Sequence, residues 1–109
     1  MRRRLIVKVH AGPTWKGGGV REQPGWDAHA TFIDGLIERG TMVMGGPFHD
    51  NSGSMMLFEG VGLSEAERLV AADPFIENGV FVLDEIREWD VFVDVLTSPE
   101  SASAEPQRH

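Results

Sequence analysis

The sequence predicts an α+β fold of the ferredoxin-like type, β-α-β-β-α-β, with two helices on one face of a four-stranded antiparallel sheet. Three observations carry this reading. Short stretches rich in β-branched and large apolar residues open the chain, recur twice in its middle and return near its end. A helical stripe runs through Trp26 to Ile37, with Trp26, Ala30, Ile33, Leu36 and Ile37 spaced i, i+3, i+4. A second helical segment follows a start signal at Ser64 and stops before Pro74.

Taken in order, Arg4 to His10 is the first strand, with Leu5, Val7 and Val9 on one face and Ile6, Lys8 and His10 on the other. Ala11 to Gly25 is a glycine- and proline-rich loop, longer than an ordinary strand–helix connection and so a candidate for function. It holds Trp15, Lys16, Arg21, Glu22 and Gln23, a content that suits a lid better than a bare linker. Its Gly17-Gly18-Gly19 is no phosphate loop, because no Gly-Lys-Ser/Thr follows. The first helix is Pro24 to Arg39, with Pro24 in its first turn and Gly40 as its C-terminal stop.

Thr41 to Pro47 is the second strand, Phe48 to Ser52 with Gly53 a hairpin turn, and Ser54 to Glu59 the third strand. Ser64-Glu65-Ala66-Glu67 has the form of a capping box, with Ser64 as N-cap of a helix that reaches about Ala72. Pro74 then biases Asp73 away from helical geometry. Phe75 to Gly79 is a short turn, and Val80 to Val95 a last strand with a bulge near Asp84-Glu85. Thr97 to His109 is polar and rich in Ser and Pro, a disordered tail by composition, which leaves residues 1–96 as the folded domain.

A sheet with one wet face alternates apolar and polar residues. Met42-Val43-Met44, Met55-Met56-Leu57-Phe58 and Val91-Phe92-Val93 do not; they are apolar on both faces. No spare helix is left to cover the second face. The expected cover is a second copy packed sheet to sheet, a homodimer of about twice 12.0 kDa.

Bulk composition removes several functions. A net charge of -7 argues against phosphate-backbone binding, so nucleic acid is not an expected partner. The absence of cysteine excludes disulfides, thiolate metal sites and cysteine nucleophiles, and suits a reducing cytoplasm. No stretch has the ~20 apolar residues of a membrane span, and Leu5-Ile6-Val7 before Lys8 is too short for a signal-peptide core.

His29 is the first chemical candidate, because it falls on the apolar side of its helix between Trp26 and Ile33. A lone histidine in such a place is more often a packed residue than a catalyst. Asp73 shifts the balance: with both helices on one sheet face, its carboxylate can reach the ring, fix the tautomer and leave Nε2 as a general base. An anion at a helix C-terminus also meets the negative end of the dipole, a misfit that hints at another reason for an acid there. Asp34, about 140° round the helix from His29, is poorly placed for the same pairing.

Arg21 in the loop suits an anionic substrate group, or is an ordinary surface charge. Trp15 and Trp26 flank the loop and either wall a pocket for a flat ligand or anchor the loop. Gly46 and Pro47 either bring bare backbone near a ligand or simply end a strand. His10, His29 and His49 come from separate elements without a ligand spacing, so no metal site is expected.

His29-Ala30, Gly45-Gly46-Pro47-Phe48 and Ala72-Asp73-Pro74-Phe75, in that order and spacing, resemble the YCII-related family of small dimeric α+β barrel proteins. Arg21-Glu22-Gln23-Pro24 within Trp15 to Trp26 resembles its extended-loop branch, and the likeness covers about residues 4 to 93. The resemblance implies a ferredoxin-like fold, a dimer formed by sheet packing, and a His–Asp pair lining a cleft, here His29 and Asp73. It also implies a small substrate, aromatic or lactone-like, since one relative is a dehydrochlorinase of hydroxylated aromatic rings and the wider superfamily includes muconolactone isomerases. The expected function is a cofactor-independent lyase or isomerase that moves a proton. The competing expectation is a ligand-binding or regulatory dimer without turnover.

Overall fold

In the computed structural model, residues 2–97 are described; apart from Thr97, the expected disordered tail lies outside them. The chain runs β1 (Arg2–Ala11), a 3₁₀ turn (Val20–Glu22), α1 (Trp26–Glu38), β2 (Met42–Pro47), β3 (Gly53–Phe58), α2 (Leu63–Ala71), α3 (Pro74–Glu77) and β4 (Phe81–Val91). The sheet order is β2-β3-β1-β4, and every pairing is antiparallel. This is the ferredoxin-like arrangement, with one short extra helix.

The alternation of β1 sets the layers. Leu5, Val7 and Val9 are buried and meet Ile33 and Leu36 of α1 and Ala66 and Val70 of α2 in one core. Residues directly paired across strands share a face. Phe58 and Met56 therefore join the core beside Leu5 and Val7, while Met55 and Leu57 lie beside Lys8 and Ile6 on the opposite face. On β4, Lys8 pairs with Glu85 but Val9 with Leu83, so Asp84 is the extra residue of a bulge, as expected. The bulge turns the Asp84 carboxylate against Nδ1 of His10.

Helix α1 ends as its sequence dictates. Gly40 adopts a left-handed φ of 76°, the Thr41 amide reaches the Leu36 carbonyl at 2.9 Å and the Gly40 amide reaches that of Ile37 at 3.0 Å. Its start differs from expectation. Pro24 lies outside the helix, and Gly25 in the left-handed region is the N-cap.

Three further expectations are corrected. Ser64 does not cap α2: the helix begins a residue before it, Gly62 is the N-cap, and the Gly62 carbonyl accepts the Ala66 amide at 2.9 Å. The extended backbone of Gly62 lets the helix start early, so Ser64 falls inside the first turn. Phe75 to Gly79 is not a plain turn, because Pro74–Glu77 is a helical turn capped by Asp73. The last strand stops at Val91, where its pairing with Arg2 at the start of β1 runs out.

The long loop is built rather than slack. Its near end is tied to the segment before β4 by the Gly12 amide on the Val80 carbonyl (2.7 Å) and the Thr14 amide on that of Gly79 (3.1 Å). The approach at Gly12 is so close that a Cβ there would sit 2.3 Å from the Gly79 oxygen. Its far end is held by Asn78, whose Nδ2 donates to the Pro24 carbonyl at 2.9 Å.

Candidate functional site

Two helix ends bring the central pair together. His29 lies one turn into α1, and Asp73 is the extended residue between α2 and α3, with φ -65° and ψ 126°. His29 Nδ1 lies 2.8 Å from Asp73 Oδ1, and the residues are 6% and 4% exposed. The same Oδ1 accepts the Phe75 amide at 2.9 Å. An ionised carboxylate can only accept, so a contact with one makes Nδ1 the donor, the tautomer that in a neutral ring places the lone pair on Nε2. The acid that looked misplaced after α2 is thus the N-cap of α3, where the dipole favours it, and the orienting partner of His29.

Aromatic groups fix what Asp73 does not. The Phe75 ring stacks on the His29 imidazole at 4.0 Å between centroids with the planes 10° apart. Trp26 is tilted against the imidazole at 5.6 Å, and Phe81 presents an edge at 6.3 Å. One carboxylate therefore sets the ring's rotation within its plane, and one phenyl ring sets the plane itself.

His29 opens on a recess shared with Val20, Ile33, Met42, Gly46, Pro47, Ser54, Met56 and Phe81. The recess holds about 20 Å³, room for about one water. Ser54 Oγ donates to the Gly46 carbonyl at 2.7 Å and so fixes the backbone at its rim. Outside it lies an open cleft of about 400 Å³, within the range of small-molecule sites, lined by Gly19, Val20, Arg21, Glu22, Trp26, Pro47 and Asn51. Val20 and Pro47 border both spaces. Beside Asn51, the Asp50 carboxyl is held below the ordinary carboxylate range, first by the Ser52 hydroxyl and then by the Ser52 amide, 3.0 Å away.

Of the residues singled out from sequence, His29, Gly46 and Pro47 line the recess, Arg21, Trp26 and Pro47 line the cleft, and Asp73 stands behind His29. Trp15 lines neither space; its ring stacks on Phe81 at 5.8 Å and so backs the wall of the recess. Among the described residues, no group of three or more His, Asp or Glu side chains is placed to hold a metal ion.

Sequence reasoning missed three contributors. Phe75 belongs to the Asp73-Pro74-Phe75 triplet, and its proximity to the acid was the available signal. Phe81 opens the last strand, where an aromatic gives no hint of its target. Gln23, buried in the loop, has no sequence signal at all. Its Nε2 donates to the carbonyls of Gly17 (2.8 Å) and Gly19 (3.0 Å), and its Oε1 accepts the Lys16 amide at 2.8 Å. The loop that supplies Val20 and Arg21 is therefore stitched onto one amide side chain.

The profile of the YCII-related domain matches residues 10–90. Among solved structures, the chain is similar to 5-chloro-2-hydroxyhydroquinone dehydrochlorinase from Burkholderia phenoliruptrix AC1100, in its complex with 2,5-dihydroxybenzoquinone. The TM-score is 0.61 and the identity 23%, over 81% of this chain and 93% of that one. At that identity the likeness speaks for the fold. No curated protein matches the chain.

Proposed function

The chain belongs to the YCII-related family, and from that premise we propose a cofactor-independent enzyme that moves a proton on a small organic substrate through His29 and Asp73. The observation that carries the reading is the buried 2.8 Å contact between them, set at the recess. Asp73 keeps the proton on Nδ1 and stabilises the imidazolium that forms when Nε2 accepts a proton from substrate. In an isomerisation Nε2 returns that proton to another substrate atom; in an elimination the proton and the leaving group part from neighbouring atoms. Such acid–base work supplies roughly 10²–10⁴-fold, and the remainder comes from orientation in the cleft. Arg21 neutralises an anionic substituent, and Trp26 with Pro47 borders a flat body.

The similar structure holds 2,5-dihydroxybenzoquinone, which favours the aromatic-type ring over the lactone among the substrates expected here. The test is a panel of halogenated hydroxyquinones and lactones, with His29→Gln and Asp73→Asn beside the parent chain. Turnover by the parent and its loss in both variants is the expected result; turnover that survives both substitutions overturns the mechanism.

One observation favours a second reading, a binding module without turnover. The recess at His29 has room for about one water, while the larger cleft is not lined by His29, so a ligand held in the cleft need not touch the imidazole. Saturable binding with no product in the same panel selects it.

In either reading the chain acts as a homodimer. The sheet face away from the helices exposes Met44, Met55, Val82 and Trp89, and a second copy packed on it would close a dimeric barrel. Light scattering of about twice 12.0 kDa is expected. Among the described residues no helix is long and apolar enough to cross a membrane, and an acidic, cysteine-free chain suits the cytoplasm.

A further inference from the structure

Just after β4, the described residues Phe92 to Leu96 do not return to the core. Phe92, Val93, Val95 and Leu96 are 83%, 79%, 76% and 60% exposed, the highest values among the exposed large apolar side chains of the described residues. In the middle of them Asp94 is turned back: its Oδ2 lies 3.0 Å from Arg4 Nη2, and Arg4 Nε also holds Glu59 at 2.7 Å. Arg4 alternates with Leu5 along β1, so it lies on the sheet face away from the helices, beside Trp89. The segment is therefore anchored by a mostly buried ion pair at the edge of that face, with its apolar side chains in solvent.

Resting on the homodimer proposed above, we infer that Phe92–Leu96 is a docking arm that packs against a second copy of this chain. Three observations select that occupant. The arm is tied through Asp94 to Arg4, beside Trp89, on the same sheet face that exposes Met44 and Met55, so one partner surface can meet both. At these exposures its four side chains present on the order of 500 Å², well over half of the roughly 800 Å² per partner that a specific interface needs. The arm is also fixed rather than trailing, because Asp94 ties its middle to the face where the partner sits. Each copy extends one arm, so the dimer gains the contact twice.

The test is the dimer dissociation constant by sedimentation equilibrium, measured for the parent chain, for Phe92→Ser with Val95→Ser, and for Leu63→Ser. Leu63 is also an exposed large apolar residue, but it opens α2 on the helix side, so its loss is the matched control. All three substituted positions are exposed, and circular dichroism checks that each variant folds. The arm variant is expected to dissociate at least roughly a hundredfold more readily, from loss of two apolar side chains per arm, with Leu63→Ser unchanged. A parent dimer whose constant is the same in the arm variant overturns the arm while leaving sheet-face pairing intact. Equal weakening by Leu63→Ser overturns it as non-specific association. A parent chain that is monomeric at all concentrations overturns the homodimer reading and the arm with it.

Discussion

Replacing Asp73 separates its two duties. Two hydrogen bonds to its side chain, from His29 Nδ1 and from the Phe75 amide, converge on the single atom Oδ1. Asp73→Ala removes that atom. It costs the N-cap of α3, about 1 kcal/mol, and leaves a buried imidazole N–H unpaired, about 1–3 kcal/mol. Together the loss is about 2–4 kcal/mol. Asp73→Asn keeps an oxygen in the same place, and asparagine is as good an N-cap as aspartate. Only the added strength of a charged acceptor is lost, about 1 kcal/mol.

The assay is urea unfolding followed by far-ultraviolet circular dichroism, at one fixed protein concentration because a dimer's stability depends on it. With a slope of about 2 kcal/mol per M, the alanine variant's midpoint should fall by about 1–2 M and the asparagine variant's by about 0.5 M. Equal losses for the two, or an alanine variant as stable as the parent, would refute the geometry of the shared oxygen.

Two further outcomes follow from the loop and its neighbouring turn. Gln23→Leu removes the three hydrogen bonds that hold Lys16, Gly17 and Gly19, so trypsin should cut after Lys16 and Arg21 at least about tenfold faster, with the global melting temperature little changed. The Asp50 carboxyl, held low first by the Ser52 hydroxyl, contributes stability that is present above its unfolded pKa and lost as pH falls through its lower folded value; a ¹³C NMR titration should place its midpoint below that of an unstructured aspartate, and Ser52→Ala should move it back upward.

The layers of this fold were legible because burial enforces period. Alternation in β1 put Leu5, Val7 and Val9 inside, and the 3.6-residue stripe of α1 put His29 on its buried side. The partnership with Asp73 was legible from topology, since the β-α-β-β-α-β order places both helices on one sheet face. What stayed hidden depended on local competition or on distant contacts. Ser64-Glu65-Ala66-Glu67 carries a valid capping signal, yet the extended Gly62 just upstream won the N-cap. The helical turn after Asp73 is too short for any periodicity to announce it. Gln23 acts only because three backbone groups of a folded loop surround it, a relation no spacing rule encodes. The size of the recess is equally unreadable, because it depends on where Met42, Met56 and Val20 come to rest.

The proposed chemistry requires that Nε2 of His29, and not Nδ1, hold the lone pair. Two-bond ¹H–¹⁵N correlation spectra of the imidazole, recorded at a pH where the ring is neutral, read this directly. The predicted result is a protonated, pyrrole-type Nδ1 and an unprotonated, pyridine-type Nε2. A pyridine-type Nδ1 with the proton on Nε2 would contradict it.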